Sequence, residues 1–487
     1  MERKTRSGHS FSPYNHFDVP VQDLESVAVP VEFNDLVELA LTLEKTRLDT
    51  LADDTEGIAL TSKPTTRPPR KPINKRTRAL PSTSPAALHG GIEKRRHADY
   101  RKTNRHSRHI AMAQSGASAE NYRPRRSTVQ AQNDVPVINA FVDAKELPTT
   151  QSGAWIGQHH EPTGQPPPSV GELLKDGFTY VKWDGRQTKH IIDHQSRIIV
   201  ALVGRPPGAD WDHAIYEVTD KMEDVQERGE DMDAFGEGVE SSRRGEFVAL
   251  PTGVSFGGGQ KIPRNLTHPP ACEELIEELL ADENIIRIAG FQSSAFAATA
   301  PKLYVYYTET SKLLFNHHPN LRRNFTNSIF AATSFNCGPR TISFRHFDSN
   351  NLSFGMCALT ALGRYNPRLG GHLILYNLKL VIEFPPGSTI LLPSAAVEHG
   401  NTPVSPEETR LSIAQYTSGG LFRWVAYGFR TVKSLTSKKK KQKQKDQLRR
   451  EFDLGEGERW GRGIDMFSKL GDLEKDRQSL LSVARAS

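Results

Sequence analysis

The sequence GHLILYNLKLVIEFPPGSTILLPSAAVEHGN, residues 371–401, is a succession of short β-rich runs separated by turns that contain Pro and Gly. Seven or eight runs of this kind lie between Ser328 and Thr417. Short strands at such spacing, with turn signals between them, are typical of a sandwich or of a barrel closed on itself. The pattern therefore predicts a jelly-roll, whose mouth brings side chains from opposite strands together.

One triplet in this β-rich block, His346-Phe347-Asp348, follows the run TISFR. In a strand, side chains two residues apart point to the same face, so His346 and Asp348 are expected to lie side by side. His399 comes 53 residues after His346, just past the run GSTILLP. Two imidazoles and one carboxylate on one side of a metal leave its other side open, which suits non-haem Fe(II). We expect these three residues to bind a metal at a catalytic centre.

A second pair of residues follows in the last of these runs, RLSIAQYT. Arg410 comes eleven residues after His399, and Ser412 comes two residues later, so both side chains point the same way along a strand. A guanidinium and a hydroxyl that face the same way can hold a carboxylate. The pair is therefore a predicted anion site near the predicted metal.

In this order, His346-x-Asp348, His399 and Arg410-x-Ser412 resemble the motif of the Fe(II)/2-oxoglutarate-dependent dioxygenase superfamily. The resemblance implies a double-stranded β-helix in which the two histidines and the aspartate bind Fe(II). It also implies that Arg410 and Ser412 bind the far carboxylate of the co-substrate 2-oxoglutarate, that O₂ is the oxidant, and that ascorbate supports turnover.

A narrower resemblance covers roughly residues 169–433. The text FNCGPRTISFRHFDSNN, at 335–351, and ETRLSIAQYTSGGLFRWV, at 408–425, is similar to the TET/JBP-like oxygenase domain of a large set of basidiomycete fungal proteins. Oxidation of a modified base such as 5-methylcytosine in DNA is what this resemblance implies. The chain lacks the long insert between the aspartate and the distal histidine, and the preceding cysteine-rich region, of animal TET proteins.

Composition divides the chain into four predicted parts. Only 36% of the 487 residues are apolar, and the mean hydropathy is −0.54, so part of the chain is not expected to pack into a core. We predict an α+β protein with a disordered basic arm at 1–165 and an auxiliary α/β subdomain at 166–295. The β-helix oxygenase domain follows at 296–433, and a Lys-rich run with a C-terminal helix at 434–487.

Periodicity within these parts predicts several individual elements. An amphipathic helix is predicted at 273–284, a strand at 285–291 (IIRIAGF), and a further helix at 296–315. His372, in the run GHLILY, is expected to point outward rather than to bind the metal.

Charge is concentrated in two basic segments although the net charge is only +6. Residues 63–126 contain 17 Lys and Arg against three acidic residues, and SKKKKQKQKDQLRR spans 437–450. Such segments attract phosphates, which makes DNA a predicted partner, and lysine runs also serve as nuclear import signals. The three cysteines are isolated, and no apolar run is long enough for a membrane span. The charged start MERKTRSGHS has no apolar segment behind it, so no secretory signal is expected. The sequence thus predicts a non-secreted protein that enters the nucleus through the import machinery and has no membrane partner. It leaves the oligomeric state open.

Three hypotheses for the function follow from these observations. The first is oxidation of a modified base in DNA, and the second is hydroxylation of a protein side chain, as in the prolyl hydroxylases. The third is a β-helix without turnover that binds nucleic acid or a protein partner through its basic segments. The basic segments fit all three hypotheses, so the identity of the substrate has to come from an experiment.

Overall fold

The computed structural model describes most of the chain after residue 134. The described residues are 3–4, 10–11, 135–148, 153–159, 167–206, 209–235, 241–242, 245–435 and 458–483. Within these ranges the protein is of the mixed α+β kind that the sequence predicts. It has a nine-stranded and a four-stranded β-sheet, two further sheets of two strands each, and helices packed against the main sheets. The basic segments at 63–126 and 437–450 lie outside the described residues.

Thirteen strands of the described chain form the two main sheets. They are β1 Val137–Asn139, β2 Thr179–Val181, β3 Lys189–Ile192, β4 Ile198–Gly204, β5 Ala249–Ser255, β6 Arg264–Asn265, β7 Ala332–Asn336, β8 Cys357–Arg364, β9 Leu373–Leu375, β10 Leu380–Ile382, β11 Thr389–Leu392, β12 His399–Asn401 and β13 Thr409–Tyr416. The large sheet has the strand order β6-β5-β7-β13-β8-β11-β4-β3-β1, and the small sheet has the order β12-β9-β10-β2. All neighbours are antiparallel except β1 with β3 and β2 with β10.

Helices of the described chain lie before, between and after these strands. They are α1 Val170–Lys175, α2 Ala209–Asp231, α3 Pro270–Ala281, α4 Glu283–Thr299, α5 Pro301–His317, α6 Gly419–Ala426, α7 Val432–Leu435, α8 Glu458–Asp465 and α9 Leu473–Val483. None of the helices in the described part of the chain is long and apolar enough to cross a lipid bilayer.

The two faces of the large sheet have different surroundings, and along β13 alternate side chains point to one face or the other. Leu411 and Ile413 of β13 are fully buried in one core cluster with Ile276 of α3 and Ile288 of α4. Because side chains alternate along a strand, the intervening Arg410 and Ser412 point away from these helices. Arg410 and Ser412 thus share the opposite face of β13.

The predicted strand at 285–291 is wrong, because these residues form the first half of α4. The run is rich in isoleucine, which favours a strand on local propensity. However, Ile285, Ile288, Ala289, Gln292 and Phe296 are all fully buried, and they recur at helical spacing. The side chain of Asp282 caps the helix by accepting hydrogen bonds from the first two backbone N–H groups that follow Glu283.

Two further predicted elements have different bounds in the structure. The helix predicted at 296–315 is divided between α4 and α5 at Ala300, because Pro301 begins a new helix at its first position. The run TISFR at 341–345 is not a strand, and only the isolated bridges at Arg340 and His346 flank it.

Strands from before residue 296 share both sheets with the β-rich block. Strand β4 pairs with β11, and β2 pairs with β10. Residues 135–148 and 153–159, within the arm predicted to be disordered, contribute β1 and the buried Trp155. In the described residues, the packed structure thus begins earlier than the predicted boundary at 165.

Candidate metal centre

His346 and His399 lie directly opposite each other across two antiparallel segments. The backbone N–H of His346 donates to the carbonyl of His399 at 3.0 Å, and the N–H of His399 donates to the carbonyl of His346 at 2.9 Å. The two ring centroids are 4.3 Å apart, and each residue is 8% exposed. A closed pair of backbone hydrogen bonds therefore holds both imidazoles on one side of the segment pair.

Hydrogen bonds to the backbone also orient each imidazole. Nδ1 of His346 lies 2.7 Å from the carbonyl oxygen of Phe344, and Nδ1 of His399 lies 2.9 Å from the carbonyl oxygen of Val397. A carbonyl oxygen can only accept, so both Nδ1 atoms carry the hydrogen and donate it. A neutral imidazole whose Nδ1 donates in this way has its lone pair at Nε2, which is the form of histidine that binds a metal.

Asp348 completes the group. Its carboxylate oxygens lie 3.7 Å from Nε2 of His346 and 3.9 Å from Nε2 of His399. Its backbone N–H donates to the carbonyl of Ser394, in the segment between β11 and β12, so the loop that carries Asp348 is attached on the side of His399. One ligand atom from each of the three residues lies within 4.8 Å of the other two, and no other group of metal-ligating side chains was found in the described ranges.

This donor set fits Fe(II). Two imidazole nitrogens and one carboxylate oxygen lie close together, and such a set leaves positions on the metal open for other molecules. Both Nε2 lone pairs are already fixed by the hydrogen bonds at Nδ1, so binding a metal requires no change of tautomer. The structure thus brings together the three residues that the sequence singled out as metal ligands.

Arg410, on β13, is a buried cation. It is 3% exposed, and its Nη1 donates to the carbonyl and to the hydroxyl oxygen of Thr341, at 3.1 and 2.9 Å. Burial lowers the pKa of the guanidinium, and the neighbouring Tyr365 hydroxyl opposes part of that shift. Within the described residues no carboxylate pairs with Arg410, and its Nε has no hydrogen-bond partner. A buried guanidinium in this state is suited to an anionic ligand.

Ser412 lies on the same face of β13 as Arg410 and is 4% exposed. Its Oγ accepts a hydrogen bond of 3.0 Å from the side-chain amide of Asn336, its partner across the β7–β13 ladder. Arg410 and Ser412 therefore lie buried on one face of β13, and no carboxylate of the described chain pairs with Arg410.

The outward position expected for His372 is wrong. His372 is 1% exposed, and its two ring nitrogens lie 2.9 Å from the Thr402 hydroxyl and 3.1 Å from the Tyr180 hydroxyl. Tyr180 in turn donates to Glu383 at 3.0 Å. Burial lowers the pKa of His372, and burial together with this hydrogen bond raises the pKa of Tyr180 to about 12. The histidine belongs to a buried polar chain between β2, β9 and β10 and is not part of the metal group.

Glu398, which precedes His399, is not a fourth ligand. Its carboxylate accepts a 2.6 Å hydrogen bond from Arg345, the residue that precedes His346. The guanidinium of Arg345 also lies 4.6 Å from the ring centroid of Tyr376. The residues next to the two histidines thus form an ion pair of their own across the same two segments.

Sequence reasoning missed three residues around Arg410, namely Thr341, Tyr365 and Gly371. They come from three different segments, and no local spacing connects them with Arg410. The only sequence signal was the pair of glycines in NPRLGG, which was interpreted as a turn.

Solved structures similar to this chain include two oxygenases. NgTET1 in complex with 5mC DNA matches with 13% identity over 51% of this chain and 91% of that chain, with a TM-score of 0.33. An oxidoreductase of the 2OG-Fe(II) oxygenase family from Burkholderia pseudomallei matches with 18% identity over 35% of this chain and 68% of that chain, with a TM-score of 0.21. Likenesses of this size establish neither the fold nor the activity of the chain.

No family model matches the sequence, and no curated protein matches it. The chemistry of the site is therefore inferred from its own residues.

Proposed function

We propose that the protein is an Fe(II)- and 2-oxoglutarate-dependent dioxygenase that oxidises a modified base, such as 5-methylcytosine, in DNA. The observation that carries the proposal is the convergence of His346, Asp348 and His399 on one point. The buried Arg410, which has no acidic partner among the described residues, supports the co-substrate. In this proposal the two sheets form a double-stranded β-helix around the site.

The three ligands have distinct tasks. His346 and His399 present Nε2 lone pairs whose direction is fixed by the carbonyls of Phe344 and Val397. Asp348 supplies one negative charge, which offsets part of the charge of a divalent metal. Iron bound here would activate O₂, so that 2-oxoglutarate is converted to succinate and CO₂ while one oxygen atom enters the succinate and the other enters a C–H bond of the substrate.

The anion site binds and orients the co-substrate. Arg410 is held by Thr341 and by the Tyr365 hydroxyl, and its Nε–H, which has no partner among the described residues, is available for a carboxylate oxygen. Ser412, on the same face, provides a hydroxyl to the same carboxylate. Because both residues are buried, their hydrogen bonds to an anion form away from water, where such bonds are strong.

The choice of a base as substrate depends on the motif-level resemblance and on the basic segments at 63–126 and 437–450. These segments would bind phosphates without regard to sequence, and a target base would have to be flipped into the site. Nuclear localisation, with import through the lysine run, belongs to the same proposal.

The test is succinate release by the purified full-length chain with Fe(II), ascorbate, 2-oxoglutarate and O₂. A duplex that contains 5-methylcytosine is compared with the same duplex without it, and oxidised bases are measured by mass spectrometry. His399→Ala is the inactive variant. His213→Ala is the matched control, since His213 is an exposed histidine of α2 whose ion-pair partner is Glu217 of the same helix.

Three outcomes separate the hypotheses. Succinate release that increases with the methylated duplex, and that His399→Ala abolishes, supports base oxidation. Succinate release that requires His399 but does not change when DNA is added contradicts a base as the substrate and favours a protein side chain. The absence of succinate with iron loading confirmed contradicts the enzyme and favours a binding module.

A further inference from the structure

Three polar side chains form a hydrogen-bonded row on the face of the large sheet that carries Arg410. They are Ser334 and Asn336 of β7 and Ser412 of β13, with exposed fractions of 0%, 8% and 4%. Buried polar groups cost free energy unless they are hydrogen-bonded. We therefore expect three buried polar residues in one row to have a functional role.

The hydrogen bonds along this row all run in one direction, and the donor at its end, the Ser412 hydroxyl, is not used by them. The Ser334 hydroxyl donates to Oδ1 of Asn336 at 2.9 Å, and the amide of Asn336 donates to Oγ of Ser412 at 3.0 Å. Ser412 is thus an acceptor towards Asn336, and its hydroxyl hydrogen is directed to no acceptor among the described residues. A hydroxyl fixed in this way can donate to an anion that lies on the same face as Arg410.

Strand pairing does not require this row. Asn336 and Ser412 are partners in a ladder that runs from Ala332 to Asn336 on β7 and is held by backbone hydrogen bonds. Apolar side chains at these positions would keep the ladder intact. The row is thus better explained by what it does to Ser412.

We propose that Asn336 is a positioning residue of the 2-oxoglutarate site, which keeps the Ser412 hydroxyl oriented as a donor to the far carboxylate of the co-substrate. The inference rests on the proposed function, because it assumes that Arg410 and Ser412 bind that carboxylate. It assigns to Asn336 no contact with the metal ligands.

The test is calorimetric titration of 2-oxoglutarate into the full-length chain loaded with Mn(II), a metal that permits binding without turnover. Asn336→Ala is expected to weaken the binding of 2-oxoglutarate about tenfold, the size expected for one hydrogen bond to a charged group. Asn336→Asp is expected to weaken it about a hundredfold or more, because its carboxylate accepts the Ser412 hydrogen and repels the ligand. With Fe(II), both variants should raise KM for 2-oxoglutarate far more than they lower kcat.

Two controls separate positioning from a general loss of structure. Thr333→Val changes a buried residue of the same strand, 1% exposed, whose side chain points to the opposite face. It should leave the affinity for 2-oxoglutarate unchanged. In a background of Ser412→Ala, Asn336→Ala should cause no further loss, because it acts through the hydroxyl that is already absent.

The outcomes distinguish this inference from the proposed function. If the wild-type chain binds 2-oxoglutarate and Asn336→Ala binds it equally well, the positioning role is wrong and the proposed function stands. Equal losses in Asn336→Ala and Thr333→Val, or additive losses with Ser412→Ala, also contradict the positioning role. If the metal-loaded wild-type chain binds no 2-oxoglutarate, the proposed function fails and this inference fails with it.

Discussion

The backbone of Gly371 lies against the side chain of Arg410. A Cβ atom added to Gly371 would be 3.2 Å from Cδ of Arg410 and 2.6 Å from the ring of Tyr365. Gly371 also has a φ of +71°, which side-chain-bearing residues rarely adopt. A glycine is therefore required here both by the backbone conformation and by the space around the guanidinium.

Gly371→Ala is expected to displace the ring of Tyr365, whose hydroxyl hydrogen-bonds Arg410, and to press on Cδ of Arg410. The guanidinium should shift as a result, which should raise KM for 2-oxoglutarate at least tenfold. The left-handed φ adds a loss of stability of about 1–2 kcal/mol. Gly257→Ala is the control, because a Cβ at Gly257 meets no atom within 4 Å. Steady-state succinate release and thermal unfolding of both variants check the prediction. An unchanged KM in Gly371→Ala would show that the space beside Arg410 is not used by the co-substrate.

Asp348→Asn should keep the shape of the metal group and remove its only negative charge. We expect the affinity for divalent metals to fall about a hundredfold or more, since even substitution of residues that orient a metal's ligands costs about ten- to a hundredfold. Metal at 100 times its Kd should stabilise the wild-type chain by about 2.7 kcal/mol, and a chelator should reverse this. At the same metal concentration, the stabilisation should fall to about 0.4 kcal/mol or less in Asp348→Asn.

The control for this prediction is Glu398→Gln, which removes the neighbouring acid that pairs with Arg345. It should leave metal-dependent stabilisation in place, because Glu398 does not belong to the metal group. Equal losses in Glu398→Gln and Asp348→Asn would contradict the assignment of Asp348 as the ligand.

The candidate site shows what can be predicted from the sequence. His346, Asp348 and His399 could be found because an i, i+2 pair and a third residue after a strand are visible as residue types at fixed positions. The backbone hydrogen bonds that bring these residues together could not be predicted from the sequence. His346 is held by an isolated pair of hydrogen bonds to His399 rather than by a strand at 341–345, and only the tertiary structure supplies that partner.

Elements and contacts that depend on distant partners were missed for related reasons. The segment 285–291 is helical because its isoleucines continue a helical stripe into Gln292 and Phe296, and this outweighs the strand propensity of the local run. Asn336 touches Ser412 across 76 residues of sequence, so no spacing rule could connect them. By contrast, the mixed α+β class followed from the pattern of runs and turns alone.

Gln292→Leu is expected to destabilise the fold by about 3 kcal/mol. Gln292 is fully buried in α4, and its amide donates to the Thr360 hydroxyl at 2.8 Å and to the carbonyl of Ile413 at 3.0 Å. Its Oε1 also accepts from Gln415 at 2.7 Å. Leucine cannot make these three hydrogen bonds, so their partner groups would stay buried without them. Each partner that finds no other hydrogen bond costs roughly 1–3 kcal/mol of stability.

Urea unfolding checks this prediction, with Gln195→Leu as the control because Gln195 is exposed. A loss in Gln292→Leu no larger than that in Gln195→Leu would mean that the network does not hold α4 to the sheet. Because Gln292 lies on the helix-facing side of β8 and β13, the variant should retain its affinity for 2-oxoglutarate while folded.

His190 should make the stability of the protein fall at acid pH. The residue is fully buried in β3, and neither ring nitrogen has a hydrogen-bond partner among the described residues. Burial, aided by the charge of Arg477, lowers its pKa from 6.5 to about 4. Between these values the unfolded chain binds a proton that the folded chain excludes, so stability is fully present above pH 6.5 and is lost as the pH falls towards 4.

The loss from this one group should reach about 3 kcal/mol at pH 4, at 1.36 kcal/mol for each pKa unit. His190→Leu should remove it, so the difference in unfolding free energy between the variant and the wild type should grow in favour of the variant as the pH falls from 7 to 4. Urea unfolding at several pH values measures this difference. His213→Leu, at an exposed position, should follow the wild type, because that ring is largely in water in both states. Only a residue that titrates differently in the folded and unfolded states can make the two curves of unfolding free energy against pH diverge. Parallel curves for His190→Leu and the wild type would therefore show that the buried imidazole is not the source of the acid sensitivity.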